Sequence, residues 1–511
     1  MIWVVLLVGA IVVSLTVCAC VLWVRHYQDT YDKSLLSNII TVVSFSLVTS
    51  LLVIIPIDIY SAVSTKPENR VAGDASTLTT SIFYYLFELL SLLCVTCVVP
   101  YAFFYVEDYD EDEKKKSIWQ RIFKVVRFAF ISGVIIFGIY IIGIFVPFTT
   151  TIPHLSSTTS EELTPIEKWE SAILPTNWFE RGFQFLHACI TIFGFLFLLT
   201  YTVYGMADAG ISLLKGQQDD AEASSAIYER LEKIEREIDE IKRHSDAKTG
   251  RPKDVKTRRR LGQLRVYEKK LRRAQEKVEG RDSWISLLKV KTRGFGIFFG
   301  LVFTLLGAVI IVSLLISLVV SIVKSSCGIT CGFVLDDPNS LNPIDMALRM
   351  LGMFFPLDYL LYGILIGFVI FSTLNGIVKI DVRIFCIQLF EVKVKETWPQ
   401  GLLATGVIVT FATYAFLNLL YYFAPIYSTF GNQKYSIDQE TIQCSLQAPV
   451  EMCMLSRTGY IALINQLGYN FVAIFNYFAA WAFCVGWGIS IAVSFFLKKK
   501  KRDDLEMDLL N

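Results

Sequence analysis

Nine apolar stretches recur along this chain, at residues 2–24, 39–63, 81–106, 122–147, 183–208, 295–323, 354–378, 401–424 and 465–497. A helix needs roughly 20 apolar residues to cross the hydrocarbon of a bilayer, and all nine are long enough. The expected fold is therefore all-α, a polytopic integral membrane protein with nine transmembrane helices. A content of 54% hydrophobic and 14% aromatic residues agrees, because soluble domains of ordinary usage carry less.

Lysine and arginine alternate between the gaps and set the expected threading. Lys114-Lys115-Lys116 and the run from Lys498 to Arg502 lie directly beside span ends, where the positive-inside rule is strongest. Both fall on one side, so the N-terminus is expected in the lumen and the C-terminus in the cytosol. The chain then divides into spans one to five (1–214), a cytosolic insert (215–293), spans six to nine (294–497) and a cytosolic tail (498–511). The formal net charge of +1 conceals this partition, because the insert alone holds 23 basic and 15 acidic side chains. Ile227, Leu231, Ile234, Ile238 and Ile241 share one helical stripe, and Leu261, Leu264, Leu271 and Val278 form a second beyond the breaker Gly250-Arg251-Pro252. These predict an antiparallel helical hairpin. The cluster Arg258-Arg259-Arg260 within it reads as a solvated face, a contact for anionic lipid or part of a partner's docking surface. No nucleic-acid-binding module accompanies it.

Charged groups inside hydrocarbon cost about 2.5–3.5 kcal/mol at a helix centre, so each one there marks a protein-lined or wet environment. Two related tripeptides stand out, Pro56-Ile57-Asp58 and Pro356-Leu357-Asp358, both expected near the lumenal face. A proline bends or breaks its helix and bares carbonyls beside the carboxylate. Asp58 and Asp358 then either anchor broken helices or line a vestibule where a carboxyl could take up a proton. Glu88 and Asp208 are further candidates. His187 is the one histidine placed to meet a lumenal ligand, with no second ligand at metal spacing beside it in sequence. Four cysteines are expected in the oxidising compartment, and the simplest of their three pairings joins Cys444 to Cys453 and Cys327 to Cys331. Gly296/Gly300 and Gly363/Gly367 predict close helix packing. No phosphate loop, nucleophile elbow or zinc-protease motif occurs, so neither enzyme chemistry nor a bound metal is expected.

Several short stretches carry a resemblance that spans almost the whole chain: Val24-Arg25-His26-Tyr27-Gln28, Ile55-Pro56-Ile57-Asp58-Ile59, Val99-Pro100-Tyr101, Phe145-Val146-Pro147, Tyr201-Thr202-Val203-Tyr204-Gly205-Met206, Asn342-Pro343, Phe355-Pro356-Leu357-Asp358-Tyr359 and Ala424-Pro425. On these residues the chain resembles the limb-region membrane receptor family, most of all its cobalamin-export branch. The resemblance implies a nine-span lysosomal membrane protein that helps vitamin B12 leave the lysosome together with an ABC transporter of the D subfamily. Cobalamin would be cargo, with no covalently bound cofactor. Membrane lipid, a cytosolic cobalamin-processing protein and a second copy of the chain are the further partners this reading admits. Two other readings fit the same spans: a cell-surface endocytic receptor or adaptor of the lipocalin-receptor type, and a proton-coupled carrier of another solute.

Overall fold

In the computed structural model the described residues are 2–29, 34–65, 78–107, 118–148, 165–175, 177–243, 293–325, 328–331, 333–334, 341–384, 387–437 and 440–508. Helices dominate: α1 (Ile2–Tyr27), α2 (Leu35–Ser64), α3 (Leu78–Leu93), α4 (Val99–Glu107), α5 (Ile118–Phe145), α6 (Pro165–Ile173), α7 (Trp178–Phe197), α8 (Val203–Arg243), α9 (Arg293–Lys324), α10 (Pro343–Leu351), α11 (Leu357–Ile380), α12 (Pro399–Phe423), α13 (Pro425–Phe430), α14 (Arg457–Leu467) and α15 (Asn470–Asp508). Eight segments among the described residues are long and apolar enough to cross a membrane, and Phe130–Phe145 of α5 adds a shorter apolar stretch. The protein is an all-α polytopic membrane protein.

Two compact units divide the chain, one of Met1–Asp208 with Leu306–Asn511 and one of Ala209–Leu305. The second is held where α8 and α9 cross: a Cβ on Gly210 would lie 2.1 Å from Thr304 Oγ1, and the Thr304 hydroxyl donates to the Gly300 carbonyl at 2.8 Å. The expected insert hairpin begins differently from its forecast. Its first arm is no separate helix, because α8 continues from the fifth span through Arg243 as one helix of 41 residues. The acidic and alanine-rich stretch after Gln218 favours helix and supplies no breaker. The second arm, with Arg258, Arg259 and Arg260, lies outside the described residues.

In the larger unit α12 is the central post. Nearly every side chain from Pro399 to Phe423 is buried, as befits a helix apolar on all sides. It packs against α2, α7 and α4. Outer helices instead expose large apolar side chains such as Leu15, Leu22, Phe130, Phe137 and Ile364, a surface that suits lipid. Two single-turn π-bulges interrupt the ladders at Cys94–Val98 and Leu198–Thr202. The first has a visible cause. Pro100 has no N–H to give the Thr96 carbonyl, and the Ser132 hydroxyl of α5 donates to that carbonyl instead.

The gaps between spans are more structured than their composition suggested. At one end α6, α10, α13, α14 and the hairpin β3 (Lys434–Ile437) with β4 (Glu440–Gln443) build a cap. Trp169 of α6 is enclosed there, donating from Nε1 to the Ala448 carbonyl at 3.0 Å and meeting Phe430 edge-on. A Cys444–Cys453 disulfide closes the loop after β4. Cys327 and the side chain of Cys331 lie outside what the structure describes, and with them that pairing. At the opposite end the hairpin β1 (Val382–Ile384) with β2 (Ile387–Phe390) follows α11, and the chain after α1 pairs with Thr397. There the Lys395 and Thr397 N–H groups donate to the His26 and Tyr27 carbonyls.

Four expectations need correction. Pro56 does not interrupt its helix, since α2 is one helix from Leu35 to Ser64. Pro356 does not lie inside a helix either; it is the N-cap of α11, where its missing N–H costs nothing. The glycine pair Gly363/Gly367 faces open space, with nothing within 4 Å of a built Cβ, as does Gly296. Gly300 does pack closely, its Cβ position 3.1 Å from the Gly210 carbonyl oxygen, but the α11 crossing uses other glycines. A Cβ on Gly205 would sit 1.8 Å from the Ser372 carbonyl oxygen, and one on Gly376 would sit 1.9 Å from that of Tyr201. The predicted span 465–497 also starts late, because residues 465–467 belong to α14 and the spanning helix begins at Asn470.

Candidate functional site

The polar groups singled out from sequence gather mainly where the cap meets the ends of the spanning helices. Asp58 is fully enclosed near the end of α2, and its Oδ2 accepts the backbone N–H of Thr458 at 3.2 Å. Thr458 lies in the first turn of α14, whose N-cap Ser456 accepts from Gly459 N–H at 2.9 Å. A carboxylate at this position answers both the unpaired donors and the positive end of the helix dipole. Tyr84 of α3 is within 3.1 Å of the Thr458 hydroxyl, so α2, α3 and α14 share one knot.

Asp358 lies in the first turn of its own helix, α11, and is equally enclosed. Its Oδ2 accepts from the Tyr427 hydroxyl at 2.9 Å and from Asn432 Nδ2 at 3.1 Å. The two Pro-x-Asp tripeptides therefore play different geometric parts: one carboxylate caps a neighbouring helix, the other receives side-chain donors from α13 and the segment just after it.

Two residues that sequence reasoning passed over complete this end. Asn342 caps α10, accepting from the N–H groups of Ile344 and Asp345, and its Nδ2 donates to Ser317 Oγ at 2.7 Å and to the Phe423 carbonyl at 3.2 Å. Asp345, three residues on, accepts Ile426 N–H at 3.2 Å and Tyr427 N–H at 2.9 Å, capping α13. The Asn342-Pro343 and Ala424-Pro425 dipeptides are thus two helix starts locked to each other. An Asn or Asp within a Pro-led helix start was the available signal.

Glu88 of α3 is 2% exposed and lies 3.6 Å from His187 Nε2 of α7. No ligand-like neighbour stands beside His187 along the chain, because this partner is 99 positions away and converges only through packing. His187 Nδ1 is 3.1 Å from Asn465 Nδ2 of α14, which also donates to Asn418 Oδ1 of α12 at 2.8 Å. Asn418 in turn donates to Thr191 Oγ1 at 3.0 Å. Nearby, Glu180 Oε1 accepts from Arg457 Nη2 at 3.1 Å, from the Tyr85 hydroxyl at 2.6 Å and from the Tyr460 hydroxyl at 3.1 Å. The guanidinium lies 4.3 Å from both ring centroids. Burial pulls Arg457 below the usual arginine range, opposed by Tyr460 and Asp58. Among the described residues no group of three or more metal-ligating side chains forms.

Asp208 stands apart from this assembly, at the other end, with Lys379 Nζ 3.6 Å from its Oδ2. Beside it the motif Tyr201 to Met206 makes the α11 crossing. Thr202 and Thr373 hydroxyls meet at 2.9 Å, Asn375 Nδ2 donates to the Gly205 carbonyl at 3.1 Å, and the Tyr201 hydroxyl both donates to the Arg383 carbonyl and accepts its N–H. An apolar groove of about 280 Å³ opens nearby, lined by Val99, Pro100, Phe103, Phe197, Val407 and Ile408 among others.

A helical membrane body whose buried carboxylates serve caps and ion pairs defines a class, the polytopic all-α membrane proteins with a structured extramembrane cap. Residues 4–290 match the LMBR1-like membrane protein family, and the chain belongs to it. It is 33% identical to the probable lysosomal cobalamin transporter of Dictyostelium discoideum over 483 residues, covering 93% of this chain and 92% of that protein. It is 28% identical to the lysosomal cobalamin transport escort protein LMBD1 of Mus musculus, covering 94% and 91%, and 28% identical to that of Homo sapiens, again 94% and 91%. No solved structure matches.

Proposed function

We propose that this protein serves the exit of cobalamin from a lysosomal lumen to the cytosol, acting as an escort of an ABC-type transporter rather than as the conduit. The observation that carries the reading is the likeness over more than nine-tenths of both chains to proteins named for lysosomal cobalamin transport. Two features of the body favour escort over conduit. Asp58, Asp345 and Asp358 are engaged with helix starts and with side-chain donors, and the 280 Å³ groove is apolar and below the usual size of small-molecule pockets. In this reading the cap faces the lumen and the termini lie as the lysine runs imply. The Cys444–Cys453 bridge supports that threading independently, because disulfides persist in oxidising compartments. Asp58 and Asp358 act as anchors of the cap. An ABC transporter of the D subfamily and a cytosolic cobalamin-processing protein are the partners the reading calls for.

The test is the partition of free cobalamin between lysosome and cytosol in cells lacking the gene. Cobalamin is expected to accumulate in the lysosome and to be released on rescue with this chain. An unchanged partition rejects the function.

A further inference from the structure

The hydrogen-bond chain around His187 fixes its protonation pattern. Asn418 Nδ2 donates to Thr191 Oγ1 and to the Tyr414 carbonyl at 3.2 Å, which leaves its Oδ1 as an acceptor facing Asn465. Asn465 must therefore present its NH₂ group there, and that same nitrogen faces His187 Nδ1 at 3.1 Å. An amide NH₂ only donates, so Nδ1 accepts and the single ring proton resides on Nε2, directed at Glu88 Oε1. Two buried oxygens lack a hydrogen-bond partner in this arrangement, Glu88 Oε2 and Asn465 Oδ1, and His187 Nε2 faces Glu88 Oε1 at 3.6 Å, too far for a hydrogen bond. Unpaired acceptors in such a place are costly, and each is a seat for a donor that the present state does not supply.

We propose that the Glu88–His187 pair is a proton-binding site whose second proton turns the Asn465 amide over and loosens α14 from α12. The proton adds to the Nδ1 lone pair, no covalent bond breaks, and the ring becomes an imidazolium with N–H on both sides. Nε2–H remains toward Glu88. Nδ1–H now opposes the Asn465 NH₂ group, and the mismatch is relieved when the amide rotates to offer its unpaired Oδ1. Asn418 Oδ1 then loses its donor, so the α12 contact weakens as the α7 contact is remade.

The remaining groups around the pair are identifiable. Tyr84 stands one turn before Glu88 on α3, and the Tyr414 ring of α12 is 5.4 Å from the imidazole. Asp58 of α2 and Arg457 of α14 influence Glu88's surroundings through Tyr84 and Thr458, and Glu180 of α7 is held by Arg457. Because Asp58 of α2 holds the first turn of α14 and Asn465 lies near the other end of that short helix, the site connects compartment acidity to the seating of the cap.

Hydrogen exchange of residues 457–467, measured on the full chain in lipid nanodiscs between about pH 7.5 and 3.5 and corrected for intrinsic rates, tests this. Protection of this segment is expected to fall several-fold on acidification in the wild type and to stay flat in His187→Gln. Asn465→Asp keeps the histidine but has no NH₂ group to give Asn418 or to turn over, so its segment is expected to exchange at the fast, acid-state rate at every pH. A wild-type segment insensitive to pH, a wild-type response in His187→Gln, or a wild-type response in Asn465→Asp overturns the proposal. If His187→Gln does not fold, the Asn465→Asp profile decides.

Discussion

The two ends of the larger unit are held by opposite means. At the cap, carboxylates and an asparagine reach across sequence to backbone N–H groups at the starts of short helices: Asp58 to Thr458, Asp345 to Ile426 and Tyr427, Asn342 to Ile344. At the other end, glycines let α11 and the helix that enters α8 approach until a side chain would overlap a carbonyl, and the charge pair of Asp208 with Lys379 is partly exposed. The first kind of joint is directional and chemical, the second steric. Loss of a carboxylate should therefore injure the cap while leaving the crossing intact, and added bulk should do the reverse.

The largest effect is expected from Gly205→Val. Its Cβ would lie 1.8 Å from a backbone oxygen that cannot swing aside, so the strain should exceed the ~1–3 kcal/mol usual for overpacking, and monodisperse protein should be lost on size exclusion. Asp345→Ala comes next. It leaves two buried N–H groups unpaired at about 1–3 kcal/mol each, visible as a lowered Tm, whereas Asp345→Asn retains one acceptor and should recover roughly half. Cys444→Ser with Cys453→Ser should cost about 2–4 kcal/mol and make Tm indifferent to reductant, while the wild type falls to the same value when reduced. Asp58→Asn keeps an oxygen for Thr458 N–H and loses only the charge-assisted part, about 1 kcal/mol; if cobalamin release fails while abundance is normal, Asp58 does more than anchor the cap. Smallest of all, Lys393→Ala removes an exposed pair with Glu391 that solvent screens, and no measurable shift in Tm is expected.

What could be read in advance follows the same division. The spans were legible because hydrocarbon forces long uninterrupted apolar runs, and that periodicity survives without knowledge of neighbours. Buried Asp58, Asp358, Glu88 and Asp208 were also legible as costly residues. Their partners were not. Glu88 meets His187 and Asp58 meets Thr458, 400 positions away, and no local pattern encodes such a pairing. The cap was invisible for a related reason: its helices are 6 to 11 residues long and stabilised by burial, below the length at which hydrophobic period is decisive. Glycine spacing misled at Gly363 and Gly367, which satisfy the small-xxx-small pattern yet face outward, whereas the close crossing of α11 falls at Gly205 and Gly376.

The escort reading rests on a body that is held together by its polar groups rather than opened by them. Purified protein reconstituted alone in proteoliposomes, with labelled cobalamin on the side of the cap and an acid gradient imposed, measures this directly. The account predicts no uptake above protein-free vesicles until the ABC-type transporter is added. Saturable, gradient-dependent uptake by this chain alone would contradict it.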